Sequence, residues 1–138
     1  MISTVLLRTS VILLLAGMVL GIVMGIRQDF ALAPAHAHLN LVGFVLMFGF
    51  GVYYRLVPSA AEGRLPTIQA TLHIVGAIVF PIGIAAVLTW GPGQFEVLAI
   101  SGALIVFAAV ALFAWIVFRT TAPRTASHER SAGFSLPI

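Results

Sequence analysis

Four long apolar runs, Val5 to Ile26, Ala35 to Leu56, Thr67 to Leu88 and Phe95 to Phe118, occupy most of the 138-residue chain. Crossing the ~30 Å hydrocarbon core of a bilayer takes roughly 20 such residues in a helix. Each run is long enough, so the sequence predicts four transmembrane helices and an all-α integral membrane fold. The breaks between them carry Arg27-Gln28-Asp29, the stretch Pro58 to Pro66, and Trp90-Gly91-Pro92-Gly93. Connections this short make neighbouring spans antiparallel hairpins of a four-helix bundle. Only 8% of residues are charged against 61% hydrophobic, and the mean hydropathy is +1.14. A soluble domain carries about 25% charged residues, so cytosolic enzyme folds are excluded and membrane lipid is the chain's immediate surroundings. Residues 1–118 form the predicted transmembrane domain. Residues 119–138, rich in Pro, Thr, Ser and Arg, read as a flexible polar tail.

Charge sets direction. Arg8, Arg55, Arg64, Arg119, Arg124 and Arg130 share one side of a four-span topology, and Arg27 stands alone on the other. The positive-inside rule then puts both termini in the cytoplasm of a bacterial inner membrane. At this low charge density the basic excess is a matter of topology, and nucleic acid is not the expected partner. The absence of Cys removes disulfides, thiolate nucleophiles and Cys-based metal sites together. Any metal chemistry falls to His, Met, carboxylates or a cofactor.

Within the spans, Gly17, Gly21 and Gly25 line one bare helical face, a spacing that favours close helix approach within or between subunits. Pro81 predicts a kink in the third span rather than a site. Gln94 and Glu96 are placed at the interface. His36, His38 and His73 lie inside predicted spans, where ionisable groups are costly and point to function by default. His36 and His38 are two residues apart, about 200° around a helix. From one regular helix they leave opposite sides and do not bind one ion together, unlike the i, i+4 pair of a HExxH zinc site. The arrangement suits a helix wedged between two ligands, or between neighbouring subunits. The spacing equally allows hydrogen bonding to headgroups, water or loop carbonyls. Asn40, at i+4 from His36, is positioned to orient that ring or to pack against another helix. His73 starts from the opposite membrane face and is expected to hydrogen-bond within the bundle, well away from the other two. His128, in the tail beside Glu129, reads as solvated.

The run Ala35-His36-Ala37-His38-Leu39-Asn40-Leu41-Val42-Gly43-Phe44, continued by Gly51-Val52-Tyr53-Tyr54-Arg55-Leu56-Val57-Pro58, resembles the tenth helix of the catalytic subunit of heme–copper oxidases and nitric oxide reductases, in their cbb-type branch. The segment Leu72-His73-Ile74-Val75-Gly76 is similar to the start of that family's eleventh helix. The resemblance covers residues 35 to about 80. It implies that His36 and His38 are axial ligands of heme iron, one on each side of the helix, with Asn40 as a supporting cofactor contact. The family's copper-binding histidines have no counterpart here, and its roughly twelve helices stand against four. Oxygen reduction at a heme–copper centre is therefore not implied, and an electron carrier is favoured over an oxygen-reducing enzyme. The family subunit is built of three four-helix arcs around a pseudo-threefold axis, with the metal-binding helix second in each arc. The His-x-His helix is second of four here, so the resemblance implies one arc per chain and a homotrimer. Each heme b would then take His38 from one subunit and His36 from the next. Rival readings are a copper- or zinc-handling protein using the same two imidazoles, and a structural or assembly subunit of a respiratory complex that carries no cofactor. No docking motif for a quinone or a cytochrome c is recognisable, so the redox partner is unknown.

Overall fold

The structure, a computed structural model, describes residues 1–121. The predicted tail beyond Thr121, with Arg124, His128 and Arg130, lies outside the described residues. Among the described residues four helices are long and apolar enough to cross a membrane: α1 (Ile2–Arg27), α2 (Ala33–Leu56), α3 (Leu65–Trp90) and α4 (Gln94–Thr121). Most run a few residues past the apolar stretches that announce them, because helical hydrogen bonding continues into the polar flanks after hydropathy has fallen. At α4 this takes Arg119, Thr120 and Thr121, assigned to the tail from composition, into the helix. The described residues contain no strand.

Local chemistry explains the ends. α1 stops at Gln28, whose backbone is left-handed at φ 52° and whose side-chain Nε2 donates to the Gly25 carbonyl. The Asp29 carboxylate accepts the Ala31 amide at 3.0 Å and turns the chain toward α2. Pro34 and Pro66 sit in the first turns of α2 and α3, where a missing N–H costs nothing. Between α3 and α4 the backbone is left-handed at Gly91 (φ 88°) and Gly93 (φ 111°), a conformation glycine adopts without a Cβ penalty. Pro81 lies buried inside a helix that runs unbroken from Leu65 to Trp90. Glu96 occupies the exposed first turn of α4, where its charge faces the positive end of the helix dipole.

Helices adjacent in sequence make the main interfaces, with α3 against α4 the most extensive and α1 against α2 next. Small residues set the spacing. Backbone atoms of Ala99 stand 2.5 to 2.6 Å from where a Cβ on Gly83 would lie, and those of Phe80 stand 2.6 Å from one on Gly102. No side chain fits there, so α3 and α4 touch backbone to backbone. The core runs from Leu6, Tyr54, Ala70 and Ile116 in the arginine-rich half of the molecule through Phe50 and Met47 to Val42, Ala77 and Val106. Phe50 and Phe113 lie 4.1 Å apart between ring centroids, and the Tyr53 hydroxyl and Thr120 Oγ1 share a 2.7 Å hydrogen bond that ties α2 to α4. Ile12, Leu15, Val19, Phe107 and Trp115 point outward and exposed, which suits hydrocarbon and would be an aggregation surface in water.

One element was not foreshadowed. Across Leu39–Leu46 the second span is π-helical, with α-helix on both sides. The wider turn pairs amides five rather than four residues back, and such segments occur mostly at functional sites. It begins immediately after His38.

Candidate functional site

The first turns of α2 carry His36, His38 and Asn40, and the two imidazoles do leave opposite sides of the helix. His36 faces α1. Its Nδ1 donates to the Gly17 carbonyl at 2.9 Å, and its Nε2 lies 3.1 Å from Nδ2 of Asn40, which donates to it. Both ring nitrogens are thereby engaged in the tautomer protonated at Nδ1. Approach this close depends on α1 having no side chains there. A Cβ on Gly21 would lie 2.9 Å from Cε1 of His36, and one on Gly17 would strike Oδ1 of Asn40. The glycine stripe expected to mediate tight packing thus divides. Gly17 and Gly21 form the bed for His36 and Asn40 inside the subunit, whereas nothing among the described residues lies within 4 Å of a Cβ on Gly25.

His38 turns to the other side, toward α3, with its ring edge-on to Phe80 at 4.8 Å between centroids. Its Nδ1 lies 2.7 Å from the carbonyl of Pro34, one turn back on the same helix. With Nδ1 donating its hydrogen there, Nε2 carries the lone pair, and it makes no hydrogen bond among the described residues. This is how imidazole ligands are commonly held: one nitrogen fixed to a carbonyl, the tautomer set, the other nitrogen free to bind.

Asn40 Nδ2 lies against the His36 ring, but its own Oδ1 is buried without a partner among the described residues. His73 is set apart from the pair. It is fully buried, its Nε2 donates to the Val42 carbonyl at 3.0 Å, and Phe50 stands edge-on to it at 4.7 Å. Val42 belongs to the π-helical segment, so His73 of α3 plugs the backbone of α2 where its ladder is irregular. This matches the expected hydrogen bonding within the bundle. Among the described residues no group of three or more His, Cys, Asp or Glu side chains is placed to hold a metal ion. A bare-ion site built from the described residues of one subunit therefore has at most two such ligands.

Sequence reasoning overlooked a second polar cluster. The Tyr54 hydroxyl donates to Oε1 of Gln69 at 3.1 Å, and Gln69 and His73 lie one turn apart on α3. The signal was present as two polar residues at i and i+4 inside an apolar span, a spacing that puts both on one face. Comparison with protein-family models, curated proteins and solved structures returns no match.

Proposed function

We propose that the chain is a b-type heme protein of a bacterial inner membrane that carries electrons, assembled as a homotrimer and related to one arc of the heme–copper oxidase subunit without its copper site. The observation that carries this reading is His38, whose Nδ1 is held by the Pro34 carbonyl while Nε2 remains available. Heme, when bound, supplies a one-electron couple at its iron. The residues fit it unequally. His38 presents a ligand in the right tautomer with no rearrangement. His36 serves only if its Nε2 exchanges the Asn40 amide for iron, while Nδ1 stays on the Gly17 carbonyl as the same kind of fixed second nitrogen. Because the two rings leave opposite sides of α2, one chain does not clamp one heme. His38 of one copy and His36 of another would complete each site, and two imidazoles leave iron without a position for substrate.

The engaged ring of His36 favours one other reading, a structural or assembly subunit in which the pair only fastens α2 to its neighbours. A reduced-minus-oxidised difference spectrum of the purified protein, with pyridine hemochrome quantitation, separates the two. The heme reading expects Soret and α bands and about one heme b per chain, as three equivalent interfaces require. Copper or zinc found by metal analysis without those bands would turn the assignment to ion handling, and a colourless, metal-free protein would leave the structural reading.

Both termini are proposed to be cytoplasmic, from the six-to-one division of Arg. A protease-cleavable tag on the C-terminus is expected to survive protease added outside intact cells. Cleavage there would reverse the topology.

A further inference from the structure

Two buried polar atoms of α3 have no partner among the described residues: Nε2 of Gln69 and Nδ1 of His73. Neither residue has exposed surface. Their hydrogen-bonding characters are fixed by what lies on their other sides. Nε2 of His73 faces the Val42 carbonyl at 3.0 Å and so carries the hydrogen, which leaves Nδ1 of the neutral ring as a lone-pair acceptor. Oε1 of Gln69 accepts the Tyr54 hydroxyl at 3.1 Å, which leaves the amide N–H as a donor. One turn apart on one helix face, a buried donor and a buried acceptor thus stand orphaned without bonding each other. Groups left this way are costly in a low-dielectric interior, and native interiors commonly resolve such a pair with a bound water.

We propose that Gln69 and His73 hold one buried water molecule, which accepts from Gln69 Nε2 and donates to His73 Nδ1. The chemistry selects water over other small species. A metal cation would suit the imidazole lone pair but meet the positive end of the amide N–H. An anion would suit the amide and be repelled by the lone pair. Water is both acceptor and donor and satisfies the two at once. With it in place, each hydrogen from Tyr54 to Val42 points the same way: Tyr54 O–H to Gln69, Gln69 N–H to water, water O–H to His73, and His73 N–H to the Val42 carbonyl. A continuous hydrogen-bonded chain then runs from the arginine-rich half of the core to the π-helical segment below His38. Phe50 stands edge-on to His73, and Phe113 lies tilted against Phe50.

X-ray radiolysis of the full-length protein in lipid nanodiscs tests this, because hydroxyl radicals formed from a bound water oxidise the side chains around it. Oxidation is read by mass spectrometry and corrected for intrinsic reactivity. Tyr54 and Phe50 are expected to label several-fold faster than Leu6, which is similarly buried. In Gln69→Leu, labelling of Tyr54 and Phe50 is expected to fall to the level of Leu6. Wild-type Tyr54 and Phe50 labelling no faster than Leu6 would overturn the proposal, as would undiminished labelling in Gln69→Leu. The wild-type rates decide alone if that variant does not fold. Neither outcome depends on heme, so the result stands apart from the functional reading above.

Discussion

On the proposed heme reading, His38→Ala is expected to strip one imidazole ligand from every heme, turning a low-spin spectrum high-spin. Carbon monoxide should then bind where it did not before, or heme should be lost altogether. The magnitude follows from the geometry. His38 arrives with its tautomer set by the Pro34 carbonyl, and loss of merely such a supporting contact typically costs 10–100-fold in metal affinity. Loss of the ligand itself should exceed that, and retained heme should fall at least tenfold on dilution. Added imidazole is expected to restore part of the low-spin signal, which a purely structural defect would not allow. His36→Ala should give the same spectral change, together with a looser α1–α2 interface, because it also vacates the bed formed by Gly17 and Gly21. His73→Ala should leave the spectrum low-spin, since that ring is committed to the Val42 carbonyl. A wild-type spectrum in both His36→Ala and His38→Ala would overturn the ligand assignment while leaving the four-helix fold untouched.

A methyl group on Gly83 is the substitution expected to cost the fold most per atom added. Its Cβ would lie 2.5 to 2.6 Å from backbone atoms of Ala99, and backbone yields only if the helices part. Overpacking of this kind costs about 1–3 kcal/mol, at times more, and here it acts at the most extensive interface in the molecule. Gly83→Ala is therefore expected to lower stability by at least ~2 kcal/mol in a reversible detergent-unfolding titration. Gly49→Ala is the control, because nothing lies within 4 Å of its added Cβ and alanine is the better helix former by about 1 kcal/mol. It should be neutral or slightly stabilising. Equal losses in both variants would mean that α3 and α4 do not meet at Gly83.

The four helices were legible because hydropathy reports a one-dimensional property: whether each run of residues is long and apolar enough to span. The opposed directions of His36 and His38 were legible for a similar reason, as helix rotation between nearby residues needs no knowledge of neighbours. What lay hidden depends on which helix packs against which. Nothing in the spacing said that Gly17 would offer its carbonyl to His36, or that Gly25, in the same stripe, would meet no neighbour within 4 Å. The His73 bond to Val42 joins two spans through a backbone atom, which has no sequence identity to read. The π-helical stretch was equally silent, since Leu39-Asn40-Leu41-Val42-Gly43-Phe44-Val45-Leu46 has the composition of an ordinary membrane helix.

That stretch also sets the angular phase between the two ends of α2. Eight residues wound more widely than an α-helix fix the direction of His36 and His38 relative to Tyr53 and Tyr54 differently from an unbroken helix of the same length. Shortening the stretch by one residue would return it toward α-helical winding, where each residue contributes about 100° of turn and about 1.5 Å of rise. That tighter winding offsets much of the turn lost with the deleted residue, so the rings would keep roughly their present directions, whereas the full eight residues rewound as α-helix would swing the histidine end against the tyrosine end and turn the rings away from α1 and α3. The span thus behaves as two shafts joined by a coupling of fixed offset, in which the winding of the coupling, more than its residue count, decides where the imidazoles point.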